Sequence, residues 1–193
     1  MNHRFQPAFR IAALAVLAGL AGLTSACKPP TADQVKASLE VVEMQTSWVS
    51  KEYRQWPEPK LVLVPQVRFR VKNLTDKPLQ FINFNAIFKK KLDIENLGDN
   101  FLATVRKAPI PPGGLSEVIT LKSNYGVEGR TLEHFKVYPQ MLDYDVKLYA
   151  QFKGSPHALL GEWRVSNTID FKEDAPVHQE GKIIDKAPEA KIK

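Results

Sequence analysis

The alternation at residues 67–72 restricts the fold more than any other feature of this chain. Val67, Phe69 and Val71 alternate with Arg68, Arg70 and Lys72. A period of two, with one apolar and one charged face, asks for a strand half buried in an antiparallel sheet. The same period returns at Ile82, Phe84, Ala86 and Phe88, set against Asn83 and Asn85. It returns again at Val146, Leu148, Ala150 and Phe152, set against Asp145, Lys147 and Gln151. Turn signals separate these runs. Asn73-Leu74-Thr75-Asp76-Lys77-Pro78 combines residues suited to turns with a proline that holds Lys77 extended. Pro111-Pro112-Gly113-Gly114, residues 124–129 and Gly154-Ser155-Pro156 punctuate the remainder.

Further strands are expected at residues 38–52, where Val42, Met44, Thr46 and Trp48 alternate, and at 101–108. Two more follow at 117–123, with Ile119 and Leu121 inward, and at 160–171, with Trp163, Val165 and Ile169 on one face. Residues 53–59 form a loop whose Trp56 covers the edge of the core or stands exposed for a glycan or lipid. Residues 92–100 are expected to be a loop. A short helix is expected within 131–141 on Leu132 and Phe135, cut by Pro139. About seven strands with at most one short helix predict an all-β fold, an antiparallel immunoglobulin-like β-sandwich. It occupies residues 35–171 as one domain, and the charged, proline-bearing residues 172–193 form a disordered tail. The chain has one cysteine, so no intrachain disulfide supports the fold and the core must carry its stability.

That cysteine ends a patterned leader. Residues 1–10 hold Arg4 and Arg10 and no acid, and residues 11–23 contain only Ile, Ala, Leu, Val and Gly. This is the layout of a secretory signal at residues 1–26, too short for a span that needs roughly 17–25 apolar residues. Two outcomes of processing are open. A cut after Thr24-Ser25-Ala26 leaves a free thiol, or Cys27 becomes a lipidated N-terminus. Leu23-Thr24-Ser25-Ala26-Cys27 resembles the bacterial lipobox, with Thr24 where that family usually has Leu. The resemblance implies a bacterial envelope lipoprotein held in the membrane by two or three acyl chains on Cys27. Lys28 in place of Asp after the cysteine implies sorting to the outer membrane, facing the periplasm. Residues 27–34 would then be a proline-stiffened tether reaching at most about 30 Å.

Residues 67–79 and the Ile110-Pro111-Pro112-Gly113 turn resemble the small immunoglobulin-like domains of many bacterial lipoproteins, including the FxLYD-like group. Val146-Lys147-Leu148-Tyr149 echoes the FxLYD signature without its Phe and Asp. Such domains bind or space, and the fold does not fix a function.

Chemistry is sparse. Without Arg4 and Arg10 the chain keeps 25 basic and 21 acidic residues, too mild and dispersed a balance for a nucleic-acid partner. His134, His157 and His178 are scattered, with no metal-ligand spacing, and no enzyme or cofactor is expected. Asp143 and Asp145, two apart, would share a strand face. The strongest candidate contact is the stripe Arg68, Arg70 and Lys72. It suits anionic lipid heads, phosphates or wall carboxylates, or else is a solvated face with cross-strand ion pairs. The expected function is a non-catalytic interaction or accessory module at the envelope, bound to the membrane through Cys27 and meeting another envelope protein or an anionic polymer. The alternative is a carrier or sensor of a small apolar ligand lined by Phe81, Phe84, Phe88 and Trp163.

Overall fold

Thr31 caps the first helix, α1 (Ala32–Ser38). Its hydroxyl accepts from the Gln34 amide while the Gln34 side chain accepts from the Thr31 amide, at 3.3 and 2.9 Å. This reciprocal capping satisfies two otherwise orphaned donors. Val35, fully buried, fixes the helix to the domain. The computed structural model describes residues 28–91, 96–105, 108–137, 141 and 143–173. Residues 1–27, on which the expected leader and Cys27 fall, and residues 174–193, where a tail is expected, lie outside the described residues. The helix claims part of the expected tether, because its capping box is strong enough to order the chain from Thr31 onward.

Two antiparallel sheets follow. The first contains β1 (Leu39–Arg54), β2 (Lys60–Asn73), β5 (Ile119–Lys122) and β6 (Val127–Gly129), with β2 central, β1 on one side and β5 and β6 on the other. The second has the order β4-β3-β7-β8, built from β3 (Ile82–Lys90), β4 (Asn96–Thr104), β7 (Tyr144–Phe152) and β8 (Ala158–Arg164). A six-residue helix, α2 (Leu132–Val137), seats Phe135 against Gly129. The all-β antiparallel sandwich is as the alternation demanded. Among the described residues it has eight strands and two short helices, one helix more than expected.

Pro65 explains why the second neighbour of β2 is broken in two. Its carbonyl accepts from the Ser123 amide at 2.9 Å, so its missing N–H also faces that side. β5 pairs with residues 66–69 and β6 with residues 61–63, leaving the proline between them.

Val67, Phe69 and Val71 meet Ile82, Phe84, Ala86, Phe88, Val146, Leu148 and Ala150 in one core. Phe69 and Phe84 stack edge to face across the sheets at 5.3 Å, as do Trp48 and Tyr144. Asn73, 0% exposed, is the polar knot at one end. Its Nδ2 donates to the carbonyls of Lys77 and Ile110 at 2.7 and 3.0 Å. Its Oδ1 accepts from the amide and the hydroxyl of Thr75, both at 2.8 Å. The turn at residues 73–78 and the Ile110-Pro111-Pro112-Gly113 turn are therefore one structure, joined through a single side chain.

Several local expectations change. β4 begins at Asn96, inside the expected loop, because pairing with β3 outweighs the weak strand preference of Gly98, Asp99 and Asn100. β8 ends at Arg164, and the chain then crosses to the other sheet. There Thr168 and Asp170 bond both backbone groups of Trp48, at 2.8 and 2.7 Å, covering the open edge of β1. Trp56 stands in the β1–β2 turn and is 82% exposed, so it covers no core edge.

Candidate functional site

The stripe from β2 lies on the outer face of the first sheet, and its three cations have different surroundings. Lys72 is opposite Glu40 on β1. Arg70 is opposite Val42, but a bulge between Val42 and Gln45 puts Glu43 at φ 52 and turns its carboxylate toward the guanidinium. Glu43 Oε2 is 3.7 Å from Arg70 Nε, a charge contact too long for a hydrogen bond. Arg68 has Gln45 on one side and Thr120 on the other, with no acid opposite it. An acid thus stands beside Arg70 and in register with Lys72, and none faces Arg68.

Beside Arg68 the same face sinks into a hollow of about 430 Å³. Its polar lining is Ser50, Gln66, Arg68, Thr120, Lys122 and Asp170, and Val49 and Phe171 supply apolar walls. The β2–β5 register places Lys122 opposite Gln66 and Thr120 opposite Arg68. Asp170 and Phe171 arrive with the C-terminal crossing, Phe171 resting edge-on against Tyr53 at 5.1 Å. Residues 124–126 close over Val64, where a Cβ on Gly126 would fall 2.1 Å from the Leu63 carbonyl oxygen. Only glycine permits that approach.

Gln66 is 5% exposed, and its side-chain amide has no hydrogen-bond partner among the described residues. Arg68, Lys122 and Asp170 form no ion pair among the described residues. The hollow is therefore lined by residues that carry a guanidinium, an ammonium, a side-chain amide and two hydroxyls, with a single carboxylate. Such a set can hold an oxyanion by charge-assisted hydrogen bonds. It has no nucleophile–base pair among its lining residues.

The other sequence candidates stay apart. His134 is exposed on α2, its ring 6.3 Å from Phe135, and His157 is exposed beside the β7–β8 turn. Asp143 does not share a strand face with Asp145, since it precedes β7 at φ 66 and pairs with Arg164. No group of three His, Cys, Asp or Glu suited to a metal ion occurs among the described residues. Among these residues, too, no helix is long and apolar enough to cross a membrane. Phe84 and Phe88 are fully buried core, Trp163 flanks that core, and Phe81 is 52% exposed at φ 58, so the four do not line one space. Cys27 and His178 lie outside the described residues. Of the hollow, only Arg68 was marked by the sequence. Gln66, Lys122 and Asp170 carry no local signal and meet only through strand register and the C-terminal crossing.

No family model matches this chain, and no curated protein does. Among solved structures it is similar to a chain described as the X-ray structure of Northeast Structural Genomics Consortium target SoR45. The identity is 14% and the TM-score 0.38, over 75% of this chain and 99% of that one.

Proposed function

We propose that this protein is a lipid-anchored lipoprotein of a bacterial envelope, a β-sandwich held close to the membrane that binds an envelope component without catalysing a reaction. The observation that carries this reading is the leader, a cationic start, thirteen small apolar residues and Leu23-Thr24-Ser25-Ala26-Cys27. Geometry supports it. With Thr31 capping α1, only Lys28, Pro29 and Pro30 separate the cysteine from the fold, a reach of at most about 15 Å. Pro29 packs near the β7–β8 turn, 3.5 Å from the position of a Cβ on Gly154. The anchored end would therefore be the end that holds α1 and that turn.

β1 runs away from this end for sixteen residues, about 50 Å at ~3.3 Å per residue. Trp56 at its far turn and the cationic outer face of β2 would then be presented to the periplasmic space, the first as an exposed aromatic and the second to anionic groups. The expected partner is an envelope protein or an anionic envelope polymer.

The test is fractionation of cells expressing the chain with and without Cys27→Ser. The unaltered chain should sediment with membranes and resist extraction by high salt, and the variant should appear in the soluble fraction. Equal distribution of both would overturn the reading. One acyl chain holds a protein only marginally, so a stable pellet also requires the second chain that lipoproteins carry.

A further inference from the structure

We propose that the hollow between Gln66, Arg68, Thr120 and Lys122 binds a small oxyanion, a carboxylate or a phosphate monoester, that also carries a hydrogen-bond donor for Asp170. This goes beyond the anchoring proposed above and stands without it. Three observations converge on one volume. Gln66 is 5% exposed, its amide has no partner among the described residues, and it lines the hollow. An amide that lines the hollow with no protein partner has both its donor and its acceptor open to a ligand atom. Arg68 and Lys122 flank it from β2 and β5 without an ion pair among the described residues, whereas Arg70 on the same face has the Glu43 carboxylate 3.7 Å from its Nε. Asp170 enters from a different part of the chain and pairs with neither cation.

The charge arithmetic sets the ligand class. Two cations and one carboxylate leave a net charge of one, which favours a monoanionic or zwitterionic group over a polyanion. The hollow is shallow and open to solvent, and its volume of about 430 Å³ suits a head group or a short ester. Arg68 would take two oxygens in its fork, Lys122 one as a point charge, and Gln66 Nε2 would donate to the same oxyanion. An ammonium on the ligand would turn to Asp170.

The experiment is a titration of the full chain in maltoside micelles with O-phosphoethanolamine, and separately with inorganic phosphate, followed through the Gln66 side-chain amide resonances. Saturable shifts are expected at Gln66 Nε2 and at the backbone amides of Arg68, Thr120 and Lys122. Arg68→Gln and Lys122→Gln, both at exposed positions, should each weaken binding by about tenfold or more. Arg70→Gln, on the same face but beside Glu43, should stay within about twofold. Asp170→Asn should weaken phosphoethanolamine and not phosphate. Absence of saturable shifts at Gln66, or equal weakening by all three cation variants, would overturn the site, and an unaltered preference in Asp170→Asn would overturn the role of Asp170. Flotation with phosphatidylethanolamine vesicles separates the sources. Binding that Arg68→Gln abolishes identifies a lipid head group, and soluble binding without flotation identifies a free ester.

Discussion

The two outer faces of the sandwich come from the same period-two pattern and end up with different chemistry. On the first sheet, loops and the C-terminal crossing fold over β2, so Val64 and Gln66 are buried and a polar hollow opens between Arg68 and Lys122. On the second sheet, strand register lines up Phe101, Asn85, Tyr149 and Leu159 across all four strands, and the face stays open, with Phe101 53% exposed. Its central charges neutralise each other, Lys147 lying 3.7 Å from Glu162. Both faces hold a side-chain amide atom without a hydrogen-bond partner among the described residues, the Gln66 amide, which still reaches solvent, on one and the buried Asn85 Oδ1 on the other. The difference is the setting. Gln66 sits between two unneutralised cations, and Asn85 sits between Phe101 and Tyr149. An unmatched polar group points to a ligand only where its neighbours offer the rest of a site.

The largest effect separates the inside of the second sheet from its outer face. Phe84→Ala, fully buried against Phe69, should cost about 3–5 kcal/mol in urea denaturation. Phe101→Ala, on the outer face of the same sheet, should cost less than about 0.5 kcal/mol. Comparable losses would mean that the outer row is packed and not open. Asn73→Ala comes next, at about 2–3 kcal/mol, because it strands the carbonyls of Lys77 and Ile110 in a buried site. Hydrogen exchange should then rise in both turns together.

Gln66→Leu and Asn85→Val sharpen the comparison of the faces. Asn85→Val removes a buried unmatched oxygen and should raise stability by about 0.5–1 kcal/mol, whereas Gln66→Leu, whose amide still reaches solvent, should change it by less than about 0.5 kcal/mol in the same denaturation assay. Only Gln66→Leu should lose oxyanion binding. Loss of binding in both variants would contradict the assignment of the two faces. The smallest effect is on pH dependence. Lys60 is raised above its ordinary value of 10.5, first by its hydrogen bond to Glu52 and further by Glu128. The folded-state value is the higher one, so its contribution is complete below 10.5 and fades as pH rises through the folded value. Glu52→Gln should flatten the alkaline limb of a thermal-melting profile in that window.

The strands whose burial is one-sided were legible from their alternation. Residues 144–152 became β7 as read, and the Val67, Phe69, Val71 face became core. β4 was hidden because Gly98, Asp99 and Asn100 have poor strand preference. The reason for Gly98 is spatial, since a Cβ there would lie 2.5 Å from the Ser123 hydroxyl. α1 had a visible signature in Thr31 and Gln34, three residues apart, which the prolines before it masked. The site was the least legible part. Arg68 stood out by charge, but its partition from Arg70 depends on a bulge at Glu43, and Asp170 reaches the hollow from a hundred residues away.

The mass of the N-terminal peptide of the protein isolated from its native membrane is the measurement to make first. A peptide beginning at Cys27 and carrying a diacylglyceryl group is the expected result, and it would place the sandwich within about 15 Å of the bilayer. A peptide beginning at Cys27 with a free amine and a free thiol would contradict lipid anchoring and make this a secreted protein with no fixed distance from any membrane.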